Sequence, residues 1–149
     1  MVRSTDYKDT RIISDLLVDF LQETAYDQAP DAAQNQEHIF KIIWTVHQYG
    51  KIWIAESEGV PAGLLMAVIE PNFWYPRIKE MRELVWYVRP EYRNGMIGGR
   101  LFKTYCDYAE SLKQKGTIAG YWTTRMSTTQ DQSLDRRGFR LKELTYLKD

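Results

Sequence analysis

The stretch Arg89-Pro90-Glu91-Tyr92-Arg93-Asn94-Gly95-Met96-Ile97-Gly98-Gly99-Arg100-Leu101 constrains the chain more than any other, because an alternating apolar segment ends at it and a helical stripe begins. Glycines at a strand-to-helix junction let a ligand approach backbone N–H groups with no Cβ in the way. The unpaired N–H groups of a helix's first turn attract anions. A fold that accommodates this junction sets the end of a strand beside the start of a helix, and the product is a phosphate cradle. Arg89, Arg93, Arg100 and Lys103 surround it against one acid, Glu91. On spacing alone a plainer reading stays open, in which the glycines only shape a turn and the arginines are solvated. Two phosphate motifs are excluded. No Lys followed by Ser or Thr comes after the glycines, as a nucleotide-hydrolase P-loop requires, and Gly95, Gly98 and Gly99 miss the G-x-G-x-x-G spacing of dinucleotide folds.

Around the junction, apolar periodicity divides the chain into helices first and strands afterwards. Ile12, Ile13, Leu16, Leu17, Phe20 and Leu21 form one helical stripe within a helix from Asp6 to about Thr24, and Ile39, Ile42, Ile43 and Val46 form a second that Gly50 closes as a C-cap. Lys51 to Ser57 and the nearly all-apolar Ala62 to Glu70, joined through Glu58-Gly59-Val60-Pro61, read as an antiparallel hairpin whose second strand is buried on both faces. A third strand runs from about Lys79 to Val88. Simple alternation puts Leu84, Trp86 and Val88 on one face and Glu83, Val85 and Tyr87 on the other. Beyond the junction, Ile97, Leu101, Tyr105, Tyr108 and Leu112 mark a helix ending at Gly116. Thr117 to Thr124 reads as a strand, Ser127 to Arg137 as a short polar helix closed by Gly138, and Phe139, Leu141, Leu144 and Tyr146 as a last strand. There is no repeat or linker, and 149 residues suit a single domain over 1–149.

Composition narrows the function classes. Twenty basic residues balance twenty acidic ones, so no global field draws the chain to nucleic acid or to an anionic membrane. The longest apolar run, Leu64 to Ile69, is far too short to span a bilayer, and no signal core follows the N-terminus. The lone Cys106 excludes an internal disulfide framework, and with only His38 and His47 a His- or Cys-based zinc site is not expected. The simplest expectation is a cytoplasmic protein with no metal.

The run Val88-Arg89-Pro90-Glu91-Tyr92-Arg93-Asn94-Gly95-Met96-Ile97-Gly98-Gly99, the order of elements and the late Gly138-Phe139 pair together resemble the GCN5-related N-acetyltransferase (GNAT) superfamily. The resemblance implies an α/β (α+β) GNAT fold: a central mixed, mostly antiparallel twisted sheet of six to seven strands, about four flanking helices, and a splay between the fourth and fifth strands. It implies acetyl-CoA as acetyl donor. The backbone of Trp86, Tyr87 and Val88 would hold the pantetheine arm, and the turn Arg93, Asn94, Gly95, Met96, Ile97, Gly98 and Gly99 the pyrophosphate. Ser127 lies where relatives often have an asparagine that contacts pantetheine. Met96 replaces the first glycine of the family's turn, and Leu134 stands where many relatives carry the tyrosine that protonates the leaving thiolate.

Acyl transfer to an amine makes its own demands. An aliphatic ammonium, pKa about 10, must lose a proton before attack, the oxyanion needs donors, and the departing thiolate, pKa about 8.5, benefits from a proton. Glu83, on the strand that would hold the cofactor, is the candidate base, and a strand N–H near Val88 the candidate oxyanion donor. Alternatively, Glu83 pairs with Arg82, Arg77 or a neighbouring strand. The acceptor would be a primary amine of a small molecule or peptide. Tyr26 and Asp27 on the inter-helix connection, with Trp74 and Tyr75 after the apolar strand, are candidates to bind it. Those rings equally suit core cover or the face of a homodimer. The competing functional reading is a GNAT-fold module that binds CoA or a protein partner without turnover.

Overall fold

A computed structural model describes residues 1–24, 31–124 and 134–142. The helical stripes become α1 (Thr10–Thr24) and α2 (Gln36–Tyr49), and the alternating segments become β2 (Gly50–Ser57), β3 (Val60–Pro71) and β4 (Lys79–Val88). The junction leads into α3 (Ile97–Gln114), and β5 (Gly120–Trp122) follows. An N-terminal strand that no periodicity announces, β1 (Val2–Ser4), pairs antiparallel with β2 through Val2↔Ala55. The first helix starts later than Asp6, because Asp6 caps a 3₁₀ turn over Tyr7–Asp9 by accepting the Lys8 N–H at 2.8 Å.

The strands lie in the order β1-β2-β3-β4-β5, antiparallel except for the parallel pair β4 and β5. The sheet is therefore mixed and mostly antiparallel as expected, but smaller. Among the described residues it has five strands and three α-helices, not six to seven and four. Of the polar segment Ser127–Arg137, the described part is Leu134 and the 3₁₀ turn Asp135–Arg137, closed by Gly138 at φ 83°. Phe139 to Lys142 form no strand, while Leu144 and Tyr146 lie outside the described residues.

Two apolar layers enclose the sheet. From α1 and α2, Ile13, Leu16, Ile39 and Ile43 pack against Ile52, Ile54, Leu64 and Met66; from α3, Leu101, Phe102 and Tyr105 pack against Trp53, Leu65, Ala67 and Met81 on the opposite face. Strand β3 is buried from Ala62 to Ala67, so both faces of the hairpin's second strand are covered. Gly50 is required for a reason other than a helix cap. Its backbone is extended at φ −160°, and a Cβ there would sit 2.0 Å from the Ala67 carbonyl oxygen.

One irregularity relocates the candidate base. Met66 pairs with Val85 and Ala67 with Glu83, which leaves Leu84 as an extra residue on β4, a β-bulge. The alternation breaks there. Glu83 falls opposite Ala67 on the α3 face, whereas Val85 and Tyr87 pack into the layer under α1 and α2. The expectation that Glu83, Val85 and Tyr87 share a face is thus corrected by one inserted residue.

Candidate active site

The junction is built as an open helix start. Met96 occupies the N-cap of α3 with no side-chain hydrogen bond, the first turn has no acid, and helical bonding begins with the Arg100 N–H on the Met96 carbonyl at 2.9 Å. Among the described residues the N–H groups of Ile97, Gly98 and Gly99 have no acceptor. A Cβ at Gly99 would meet nothing within 4 Å, and at Gly98 only ordinary contacts, Val88 Cγ2 at 3.5 Å and Trp86 Nε1 at 3.8 Å; neither glycine has positive φ. The fold itself therefore demands neither. A helical glycine costs about 1 kcal/mol against alanine, so two in one turn fit a site where something other than protein must come close. That space and those donors suit the pyrophosphate of acetyl-CoA.

The basic residues divide unexpectedly. Arg89 donates through Nε to Asp19 and through a terminal nitrogen to the Pro61 carbonyl, both at 2.8 Å. Arg93 donates to the Val88 carbonyl at 2.8 Å and to Glu23, and its guanidinium lies over the Tyr87 ring. Even the Arg93 and Gly95 N–H groups are used, on the Pro90 and Tyr92 carbonyls. Lys103 pairs with Asp107. Arg89 and Arg93 thus fasten α1 to the junction, and of the four basic residues only Arg100 has no ion-pair partner among the described residues. What the junction could still offer an anion is the helix start and Arg100.

Toward the other end of β4 the two parallel strands part. They pair at Glu80↔Gly120, Met81↔Tyr121 and Arg82↔Trp122 and no further, while β4 continues to Val88. Glu83 stands at the opening with 5% of its surface exposed. Its Oε2 accepts the Thr123 hydroxyl and the Thr124 N–H, each at 3.0 Å. Burial raises the carboxyl above its ordinary range, and the two hydrogen bonds oppose that shift. Arg82 does not pair with it, being held by Glu70 at 2.7 Å. The arrangement is a buried carboxylate and an open helix start on one strand.

The sequence matches the acetyltransferase (GNAT) family over residues 12–139. The chain belongs to the GNAT acetyltransferase family. Solved structures with the same fold include a predicted acetyltransferase with acetyl-CoA from Clostridium acetobutylicum (13% identity, 99% of this chain and 95% of that one, TM-score 0.74). Two others are a ribosomal-protein-alanine N-acetyltransferase from Brucella melitensis biovar Abortus 2308 (12% identity, 100% and 96%, TM-score 0.73) and a glucosamine-6-phosphate N-acetyltransferase from Arabidopsis thaliana (16% identity, 100% and 97%, TM-score 0.71). A comparison with curated protein sequences gives no match. GNAT acetyltransferases generally use acetyl-CoA and act on amine-bearing substrates.

The remaining candidates of this GNAT chain scatter. Trp74 and Tyr75 are 81% and 69% exposed in the loop between β3 and β4, where Asn72 Oδ1 accepts both their N–H groups at 3.0 Å. They line neither the cavity between Tyr7, Phe40 and Trp44 nor the one between Asp19, Tyr87 and Arg89. Tyr26, Asp27 and Ser127 lie outside the described residues. Trp86 stacks on Phe102 at 4.5 Å on the α3 side, whereas Tyr87 faces α1 across a cavity of about 450 Å³ lined also by Asp19, Gln22, Glu23 and Arg89. Leu134 packs into the apolar layer under α3. Neither Tyr105 nor Tyr121 replaces the missing acid from a free hydroxyl, since Tyr105 donates to the Trp122 carbonyl and Tyr121 to Glu110. Burial is the main cause that raises both phenols well above their ordinary value. Nothing in the sequence singles out Thr123, which reads there as one more β-branched residue at the end of a strand.

No helix among the described residues is long and apolar enough to cross a membrane.

Proposed function

We propose that this GNAT chain is an acetyl-CoA-dependent N-acetyltransferase that acetylates a primary amine of a small molecule or peptide, with Glu83 as base. The observation that carries the reading is Glu83 itself: a carboxylate almost sealed from solvent, with no cation paired to it among the described residues, where β4 and β5 part and on the strand that ends at the proposed phosphate cradle. The amine class is supported by two structural neighbours named as N-acetyltransferases, of a ribosomal-protein alanine and of glucosamine 6-phosphate.

Acetyl-CoA supplies the acetyl group as a thioester. The N–H groups of Ile97, Gly98 and Gly99 hold its pyrophosphate, and the edge of β4 from Trp86 to Val88 aligns the arm. Glu83 accepts a proton from the acceptor ammonium, directly or through water, which frees the nitrogen lone pair to attack. The nitrogen attacks the thioester carbonyl carbon, the C–S bond breaks with its electron pair leaving on sulfur, and the second proton of the nitrogen passes through water to that sulfur, because Leu134 provides no acid; Glu83 then returns its proton to solvent. A raised carboxyl pKa suits the task, since the base must be ionised at working pH yet basic enough to take a proton.

The test measures thiol release from acetyl-CoA with spermidine, glucosamine 6-phosphate and an alanine-ended peptide as acceptors. Glu83→Gln is expected to lower kcat by roughly a hundredfold and to leave the acetyl-CoA-induced rise in Tm unchanged. An unchanged kcat removes Glu83 from the reaction. The packing of Leu134 into the apolar layer favours a second reading, a module that binds CoA without turnover. A clear acetyl-CoA-induced rise in Tm with no thiol release from any of a broad set of amines would establish that one instead.

A further inference from the structure

Where the parallel ladder of β4 and β5 stops, the Glu83 side chain takes its place. The next step of the register after Arg82↔Trp122 would align Glu83 with Thr123. Instead of backbone pairing at that step, Glu83 Oε2 accepts from the Thr123 Oγ1 and the Thr124 N–H at 3.0 Å each. One carboxylate oxygen therefore clasps the two strands at the point of divergence and gives the Thr124 N–H an acceptor. The other, Oε1, has no hydrogen-bond partner among the described residues. The division is built by two donors converging on a single oxygen.

We propose that Thr123 is the positioning residue for Glu83: its hydroxyl fixes which carboxylate oxygen is committed to the fold and leaves Oε1 as the oxygen that takes the proton. The proposal rests on the reading of Glu83 as base. Thr124 contributes through its backbone, so the Thr123 hydroxyl is the part of the clasp that a side chain controls. The groups packed around the carboxylate leave it little other support. Tyr105 from α3 is a neutral phenol whose own titration is pushed up partly by Glu83, Ala67 from β3 is apolar, and the adjacent Arg82 is bound to Glu70 and lies over the Trp122 ring. With no cation paired to Glu83 among the described residues, the two hydrogen bonds are what favours its ionised form.

Thr123→Val removes the hydroxyl and keeps the shape; Thr123→Ser keeps the hydroxyl. The first measurement uses no turnover. In protein labelled with ¹³C at glutamate Cδ, the Glu83 signal is assigned by its loss in Glu83→Gln and followed through a pH titration. Losing a donor to the charged form raises a carboxyl pKa, so Thr123→Val moves the Glu83 midpoint to higher pH and Thr123→Ser restores it. In thiol-release assays the acidic limb of the kcat profile moves the same way, and kcat at neutral pH falls about tenfold, with KM for acetyl-CoA within about twofold. A Glu83 midpoint unmoved by Thr123→Val overturns the proposal, as does a Thr123→Ser variant that behaves like Thr123→Val. Failure of the base reading is separately visible: Glu83→Gln would then retain full kcat, whatever Thr123→Val does to the titration.

Discussion

The chain starts two of its helices in opposite ways. At α2, Asn35 Oδ1 accepts the His38 N–H at 3.1 Å, and Glu37 places an acid in the first turn, so the helix satisfies its own positive end. At α3, the cap position holds Met96, the first turn has two glycines and no acid, and three N–H groups point at nothing within the described protein. Asp6 caps the 3₁₀ turn before α1 as well, so among the described α-helices the open start is that of α3. A helix start left unpaired beside the end of a strand, with Arg100 close by, has the donors and the charge that an anion requires, which is what the proposed function uses. The difference also separates two uses of arginine. Arg89 and Arg93 look like phosphate ligands by position, but they bind Asp19 and Glu23 of α1 and hold the junction in place.

The largest expected effect comes from putting charge into the open start. Gly98→Glu leaves the free protein folded, because a Cβ at that position meets only ordinary contacts. It should weaken acetyl-CoA binding by at least about a hundredfold, roughly 2.7 kcal/mol, and abolish the ligand-induced rise in Tm. Retained affinity would place the pyrophosphate elsewhere. A sharper test transplants the device of α2 onto α3. Met96→Asp provides a side-chain acceptor for the Gly98 or Gly99 N–H, so free-protein stability rises by about 0.5–1 kcal/mol while acetyl-CoA affinity falls about tenfold, about 1.4 kcal/mol. Opposite signs in one variant, by thermal melting with and without ligand, distinguish a reserved helix start from a merely imperfect one. If both quantities fall, the cap is not what the site leaves out.

The periodicities were enough to show α1, α2, the β2–β3 hairpin, β4 and α3, because each is long enough for its apolar residues to repeat. Strand β1 is three residues long and depends on partners in β2 some fifty positions away, so it has no pattern of its own. The strand-to-helix junction was legible for the same reason as the helices: glycines and a proline are local signals. The surroundings of Glu83 were not. A bulge at Leu84 leaves no mark in composition, yet it transfers Glu83 to the other face, and Thr123, forty residues on, becomes its partner only through the parallel pairing. The pairings of Arg89 and Arg93, each across seventy positions, are equally invisible to spacing.

The smallest effect tests the capped side of the comparison. Asn35→Ala removes the acceptor for the His38 N–H and should cost about 1 kcal/mol, a fall in Tm of about 3 °C for a chain of this size. Its effect on acetyl-CoA is expected to be nil, with Kd unchanged within about twofold. The cap serves α2, whose inner residues Ile39, Ile43 and Val46 pack on the sheet face opposite α3. A loss of stability without a loss of affinity at Asn35, set against a gain of stability with a loss of affinity at Met96, separates a helix start that serves the fold from one that serves a ligand. Loss of acetyl-CoA affinity in Asn35→Ala would instead mean that the two faces of the sheet are coupled, and that the opening between β4 and β5 depends on how firmly α2 is seated.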